Sequence, residues 1–198
     1  MAVTRERLDS GMTYEQYRAQ MTRNRERFEA SERQLTIDPA DLAAFRGLSR
    51  PLDVLVLAED WCGDVIANLP VLGRVAAESG KLSLKVFLRD QNLDLIDQYL
   101  NQGKHRSIPV FVFFDAEMKE VGRFIERPAS VTELRAKRRE EIYARSPEFG
   151  SPSAPIDQLP EAVRDRLAQA MAQMRDETAP YANAEVVREL RAIVERVK

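Results

Sequence analysis

The spacing of apolar positions changes several times along the chain, and each change marks an element. Over residues 1–48 the spacing is helical. Thr13 is a suitable N-cap, and Tyr14, Tyr17, Met21 and Phe28 fall on or near one face. Asp38-Pro39 is a sharper start signal, an acid followed by proline at the first helical position, with Leu42 and Phe45 as the apolar stripe. Leu52 to Ala58 is a nearly continuous apolar run with branched residues, as expected of a central strand covered on both faces. Cys62 to Glu78 predicts a helix interrupted by Pro70 and ended by Ser79-Gly80. Leu82, Leu84, Val86 and Leu88 alternate with Ser83, Lys85, Phe87 and Arg89, which predicts a second strand. Leu93, Ile96, Tyr99 and Leu100 predict an amphipathic helix that stops at Gly103.

Val110 to Phe114 is a third strand; 115–119 is a turn, and Glu120 to Ile125 returns as its antiparallel partner. Ser130 is placed to cap a helix reaching about Arg145. Gly150-Ser151-Pro152-Ser153-Ala154-Pro155 is a linker by composition. Two short helices are predicted after it, the first striped by Leu159, Val163, Leu167, Met171 and Met174. The second carries Val187, Leu190, Ile193, Val194 and Val197. Such stripes pack on the parent domain, on each other or in a homodimer, so monomer and homodimer both stay open. The organisation is thus a helical N-terminal extension over 1–48, a strand-rich domain over 49–146, and a linker with a helical C-terminal extension over 147–198.

Composition narrows the class. A chain of 198 residues with 44% apolar and 31% charged positions can bury a core without staples. No run approaches the ~18 apolar residues of a membrane span, and the opening Met1-Ala2-Val3-Thr4-Arg5-Glu6-Arg7 has no apolar core of a secretory signal. A single cysteine excludes an internal disulfide framework and points to a reducing cytoplasm. The net charge of -2 speaks against a nucleic-acid binder, and the basic clusters 23–27 and 135–139, with glutamates close by, read as solvated helix faces. Glu59, Asp60 and Asp64 read as acids at a helix start, so neither metal nor cofactor is expected. His105 reads as a loop histidine.

The candidate chemistry is centred on Cys62, in Glu59-Asp60-Trp61-Cys62-Gly63-Asp64, directly after the first buried strand. A thiol at a helix N-terminus faces unpaired backbone N–H groups and the positive end of the helix dipole, which favour its thiolate. Pro70 lies eight residues on; Asp90-Gln91-Asn92 follows the second strand, and Arg106-Ser107-Ile108-Pro109-Val110 precedes the third. With the order strand–helix–strand–helix–strand–strand–helix, these segments over roughly 50–146 resemble the thioredoxin superfamily, in particular a bacterial branch of thioredoxin-like proteins. The resemblance implies an α/β thioredoxin fold, a mixed sheet of about four strands flanked by helices. It also implies a cis Ile108–Pro109 bond and a peptide-binding rim of Trp61, Ile108 and Pro109, with Arg106 as a carboxylate anchor and Trp61 covering the thiol.

The departures are as informative. Val65 stands where a redox thioredoxin has its second cysteine, so dithiol exchange cannot be completed within the chain. Val56 replaces the family's buried acid. Glu59, Asp60 and Asp64 tend to raise the thiol pKa, while Lys104, His105 and Arg106 are the candidates to restore positive potential. Two functions stay open: monothiol exchange through Cys62 with a small thiol or a protein disulfide, resolved by an external thiol, and a non-catalytic module that binds a peptide or protein partner beside Pro109.

Overall fold

Four strands and their helices follow one another in the order that the apolar periods imply, in a computed structural model describing residues 3–197. Helices α1 (Arg5–Asp9), α2 (Tyr14–Gln20), α3 (Arg25–Gln34) and α4 (Pro39–Arg46) precede β1 (Leu52–Ala58). Then come α5 (Gly63–Ser79), β2 (Leu82–Leu88), α6 (Leu93–Ile96), β3 (Val110–Phe114), β4 (Glu120–Ile125), α7 (Ala129–Arg145) and α8 (Glu161–Val194). The sheet order is β2-β1-β3-β4, with β1 parallel to β2 and antiparallel to β3, and β3 antiparallel to β4. This is the expected α/β mixed sheet. Its central strand β1 is buried from Val54 to Ala58, as its unbroken apolar run requires.

Residues up to Arg127, together with the chain from Val186 onward, form one compact unit, and Pro128–Glu185 form another. In the first unit the N-terminal helices belong to the core: Leu8, Tyr17, Phe28 and Phe45 are fully buried. Thr13 caps α2 in a reciprocal box with Gln16, and Asp38 accepts from Ala40 N–H at 2.8 Å to start α4. Tyr14 lies against α5 where Gly73 has no side chain; a Cβ there would sit 2.5 Å from the ring. Phe87, on the face of β2 expected to be polar, is buried under Arg7 and Gly11. At the end of α8, Val186, Val187, Leu190, Ile193 and Val194 join the same core, and Ile193 fills the space above Gly122 on β4. The second unit has its own small core around Tyr143, Phe149 and Leu167, with Met171 packed on it.

Four expectations need correction. Helix α5 runs unbroken through Pro70. Helix α6 ends at Ile96, because Gln98 and Tyr99 N–H turn back to Leu95 and Ile96 carbonyls at 3.1 and 3.0 Å and the chain folds into the Asn101–His105 bridge. Ser130 lies one residue inside α7 and its hydroxyl bonds Glu185 at 2.5 Å, so Pro128 rather than a serine cap opens that helix. The two predicted C-terminal helices are one 34-residue helix, α8, continuous through Pro180. No glycine interrupts the sequence between Glu161 and Val194, and alanines around Pro180 favour continuity.

Candidate functional site

Cys62 is placed by the end of β1. After Ala58 the chain turns, Cys62 N–H bonds Glu59 C=O at 3.2 Å, and Cys62 becomes the N-cap of α5 with extended backbone, φ -85 and ψ 121. The Asp64 and Val65 N–H groups, left unpaired by the first helical turn, therefore point at the sulfur and favour its thiolate. They do not prevail. Burial is the strongest influence and raises the thiol pKa above its ordinary value; the Asp64 charge adds to this, and the Arg127 charge opposes it. The half-buried thiol donates to Ile108 C=O at 3.5 Å, beside the cis Ile108–Pro109 bond.

Two polar arrangements flank the thiol. On one side the N-terminal extension grips Asp60, whose carboxylate accepts from Thr22 N–H at 2.8 Å, Arg23 N–H at 2.9 Å and the Thr22 hydroxyl at 3.2 Å. Asn24, in left-handed backbone at φ 53, donates to Asp60 C=O at 2.9 Å. Nearby, Glu59 is buried and accepts from Asp90 N–H at 2.8 Å; burial raises its carboxyl pKa. Tyr17 is fully buried with no partner for its hydroxyl among the described residues, and its pKa is raised first by burial and then by Asp60, Glu59 and Cys62.

On the other side Asp64 pairs with Arg127 at 3.0 Å, and the same guanidinium contacts Glu126. Glu126 accepts from Asn101 at 2.7 Å through its carboxylate and from Asn68 at 2.8 Å through its carbonyl. Its own N–H bonds Pro109 C=O at 2.7 Å. Glu126 sits at φ 64, a left-handed conformation costly for a residue with a Cβ, and these bonds hold it there.

Of the residues singled out in the sequence, Cys62 and Ile108 are in direct contact and Pro109 is joined to the Glu126 network. Trp61 is 41% exposed, with its ring stacked 4.8 Å from the Arg89 guanidinium. Arg106 holds Asp97 with both arms of its fork, at 2.7 and 2.9 Å. Among the leading influences on the thiol, the cation is Arg127. Val56 and Val65 are fully buried. Sequence reading missed Arg127, Glu126, Asn101 and Tyr17; the one local sign was an acid–arginine–proline run, Glu126-Arg127-Pro128, closing a strand. Among the described residues no three metal-ligating side chains gather, and no helix is long and apolar enough to cross a membrane.

A thiol at the start of a helix that follows the central strand, opposite a cis-proline loop, defines a thioredoxin-type site. A family model described as thioredoxin matches residues 11–140, so the chain belongs to that family. No curated protein matches. Among solved structures, the chain is similar to PA1234, a protein of unknown function from Pseudomonas aeruginosa, at 20% identity over 100% of both chains with a TM-score of 0.69. It is also similar to an HIV epitope-scaffold at 17% identity over 98% of both chains, with a TM-score of 0.65. At such identities the likeness is one of fold, and it takes in the terminal helices as well as the sheet.

Proposed function

We propose that the protein is a monothiol thioredoxin-like exchanger acting through Cys62. The thiolate attacks one sulfur of a disulfide, forms a mixed disulfide with that half and releases the other half as a thiolate. An external thiolate then attacks the mixed disulfide, leaves with the bound half as a new disulfide and returns Cys62 as a thiolate. The observation that carries this reading is the position of Sγ, at the N-terminus of α5 and 3.5 Å from the Ile108 carbonyl. An extended peptide lying along Ile108 and Pro109, with Trp61 at the rim, would present its sulfur there. Val65 is sealed in the core, so resolution falls to an outside thiol.

The raised thiol pKa favours a second reading, a binding module that keeps the groove and does no exchange. The two separate on one experiment. Exchange predicts that Cys62 forms a stoichiometric mixed disulfide with an activated pyridyl disulfide, with a rate that climbs to a midpoint above the ordinary cysteine pKa. It also predicts that dithiothreitol-driven insulin reduction is far slower than with a dithiol thioredoxin, because every cycle waits on the outside thiol. A thiol inert to the disulfide at any pH that preserves the fold would leave only the binding module.

A further inference from the structure

The loop that delivers Ile108 and Pro109 also borders a shallow cavity of about 620 Å³ that the exchange step does not use, lined by Arg89, Asp97, Lys104, His105, Arg106 and Ser107. The loop is a closed turn, with Asn101 N–H on His105 C=O at 2.8 Å and His105 N–H on Asn101 C=O at 3.0 Å. Its cations differ in how they are occupied. Arg106 is held bidentately by Asp97. Arg89 is held by Asp90 at 2.6 and 2.8 Å and donates to Arg106 C=O at 3.1 Å. The exposed Lys104 ammonium and His105 ring have no hydrogen bond or ion pair among the described residues. Asp97 and Asp90 thus neutralise the two arginines, and one full positive charge is left in the cavity.

This charge is tied to the thiol site by short links. The Arg89 guanidinium lies 4.8 Å from the ring centre of Trp61, the neighbour of Cys62. Arg106, whose carbonyl Arg89 holds, is two residues from Ile108, whose carbonyl is 3.5 Å from Sγ. Both arginine forks are already closed on carboxylates, so the cavity lacks the open bidentate donor that suits a phosphate dianion. A single lysine charge with the Ser107 hydroxyl nearby matches a singly charged carboxylate.

Resting on the exchange reading, we propose that this cavity is an anion subsite of the thiol site, taking a carboxylate carried by the disulfide partner of Cys62, with Lys104 as its direct contact. Such a subsite selects acidic disulfides through attraction that salt screens. The test compares Cys62 exchange with 5,5′-dithiobis(2-nitrobenzoate), which carries carboxylates, and with neutral 4,4′-dithiodipyridine. Each rate is divided by that of the same reagent with N-acetylcysteinamide.

In the wild type the normalised anionic-to-neutral ratio should exceed that of Lys104→Glu by about 5–10-fold at low salt, and the two should converge near 0.5 M salt. Equal ratios at low salt would overturn the subsite. A second readout does not need exchange at all. His105 is the chain's one histidine, so its ring resonances are unambiguous. They should shift on titration with a non-reactive thioether analogue of the nitrobenzoate in the wild type and stay still in Lys104→Glu. A shift without exchange would sink the exchange reading and keep the subsite; no shift in the wild type would sink the subsite. Two peptides carrying an activated cysteine beside either Glu or Gln then identify the source. A faster Glu peptide marks an acidic polypeptide, and equal peptide rates beside an anion-selective small reagent mark a small acidic thiol.

Discussion

The two sides of Cys62 each carry an aspartate, and they treat it differently. Asp60 is satisfied by backbone N–H groups of the N-terminal extension, whereas Asp64 is satisfied by a guanidinium that is itself shared with Glu126. Backbone donors hold a carboxylate without adding a net charge; an arginine brings a full one. The leading charges on the thiol come from the Asp64 side, with Asp64 pushing its pKa up and Arg127 pulling it down. A sequence count of nearby acids treats both aspartates alike. The structure separates them by what they bond.

The largest effect on this contrast should come from Arg127→Met. Asp64, Glu126 and Arg127 are 19%, 24% and 25% exposed, so removing the shared cation takes an ion-pair partner from two partly buried carboxylates. We expect a loss of about 2–4 kcal/mol in urea unfolding, together with a shift of the Cys62 alkylation midpoint to higher pH. A variant as stable as the wild type would mean that solvent already screens the pair.

Asp60→Ala should cost about 1–2 kcal/mol, because it strips two backbone N–H groups of their acceptor, and Asp60→Asn should cost less than half of that. Neither should move the alkylation midpoint much. Asp64→Asn should move it down, since the raising charge is gone and Arg127 is released toward the sulfur. Equal midpoint shifts for Asp60→Asn and Asp64→Asn would erase the distinction between the two sides.

Glu59 gives a smaller, pH-dependent effect. Burial raises its folded-state pKa above the unfolded value. Its contribution to stability is therefore fully present below the unfolded pKa and is lost as pH rises through the folded one. Glu59→Gln keeps an acceptor for Asp90 N–H and removes the titration. The melting temperature of the variant relative to wild type should be higher at pH 7 than at pH 4; a constant difference would show that Glu59 titrates normally.

Tyr17→Phe should be the mildest change. It deletes a buried hydroxyl that has no partner among the described residues, so stability should be unchanged or rise by up to about 1 kcal/mol. A loss above about 1 kcal/mol on calorimetry would show that the hydroxyl is hydrogen-bonded in solution, making the Asp60 side more polar than its bonds suggest.

The four strands, their bounds, and the place of Cys62 between β1 and α5 were all legible in the chain, because strand burial and helix starts leave periodic and capping signals in adjacent residues. The cis proline was legible only through family resemblance. What tertiary structure alone decided has a common cause. Whether α6 continues past Ile96 depends on Asn101 meeting His105, and whether α7 begins on a serine cap depends on Glu185 engaging Ser130. The thiol pKa depends on burial and on Arg127, which lies 65 positions along the chain from Cys62 and is brought beside it when β4 pairs with β3. Periodicity is a property of neighbours in sequence, whereas a pKa sums over neighbours in space, so the sequence by itself determined where the cysteine sits and only the folded chain determined how readily it ionises.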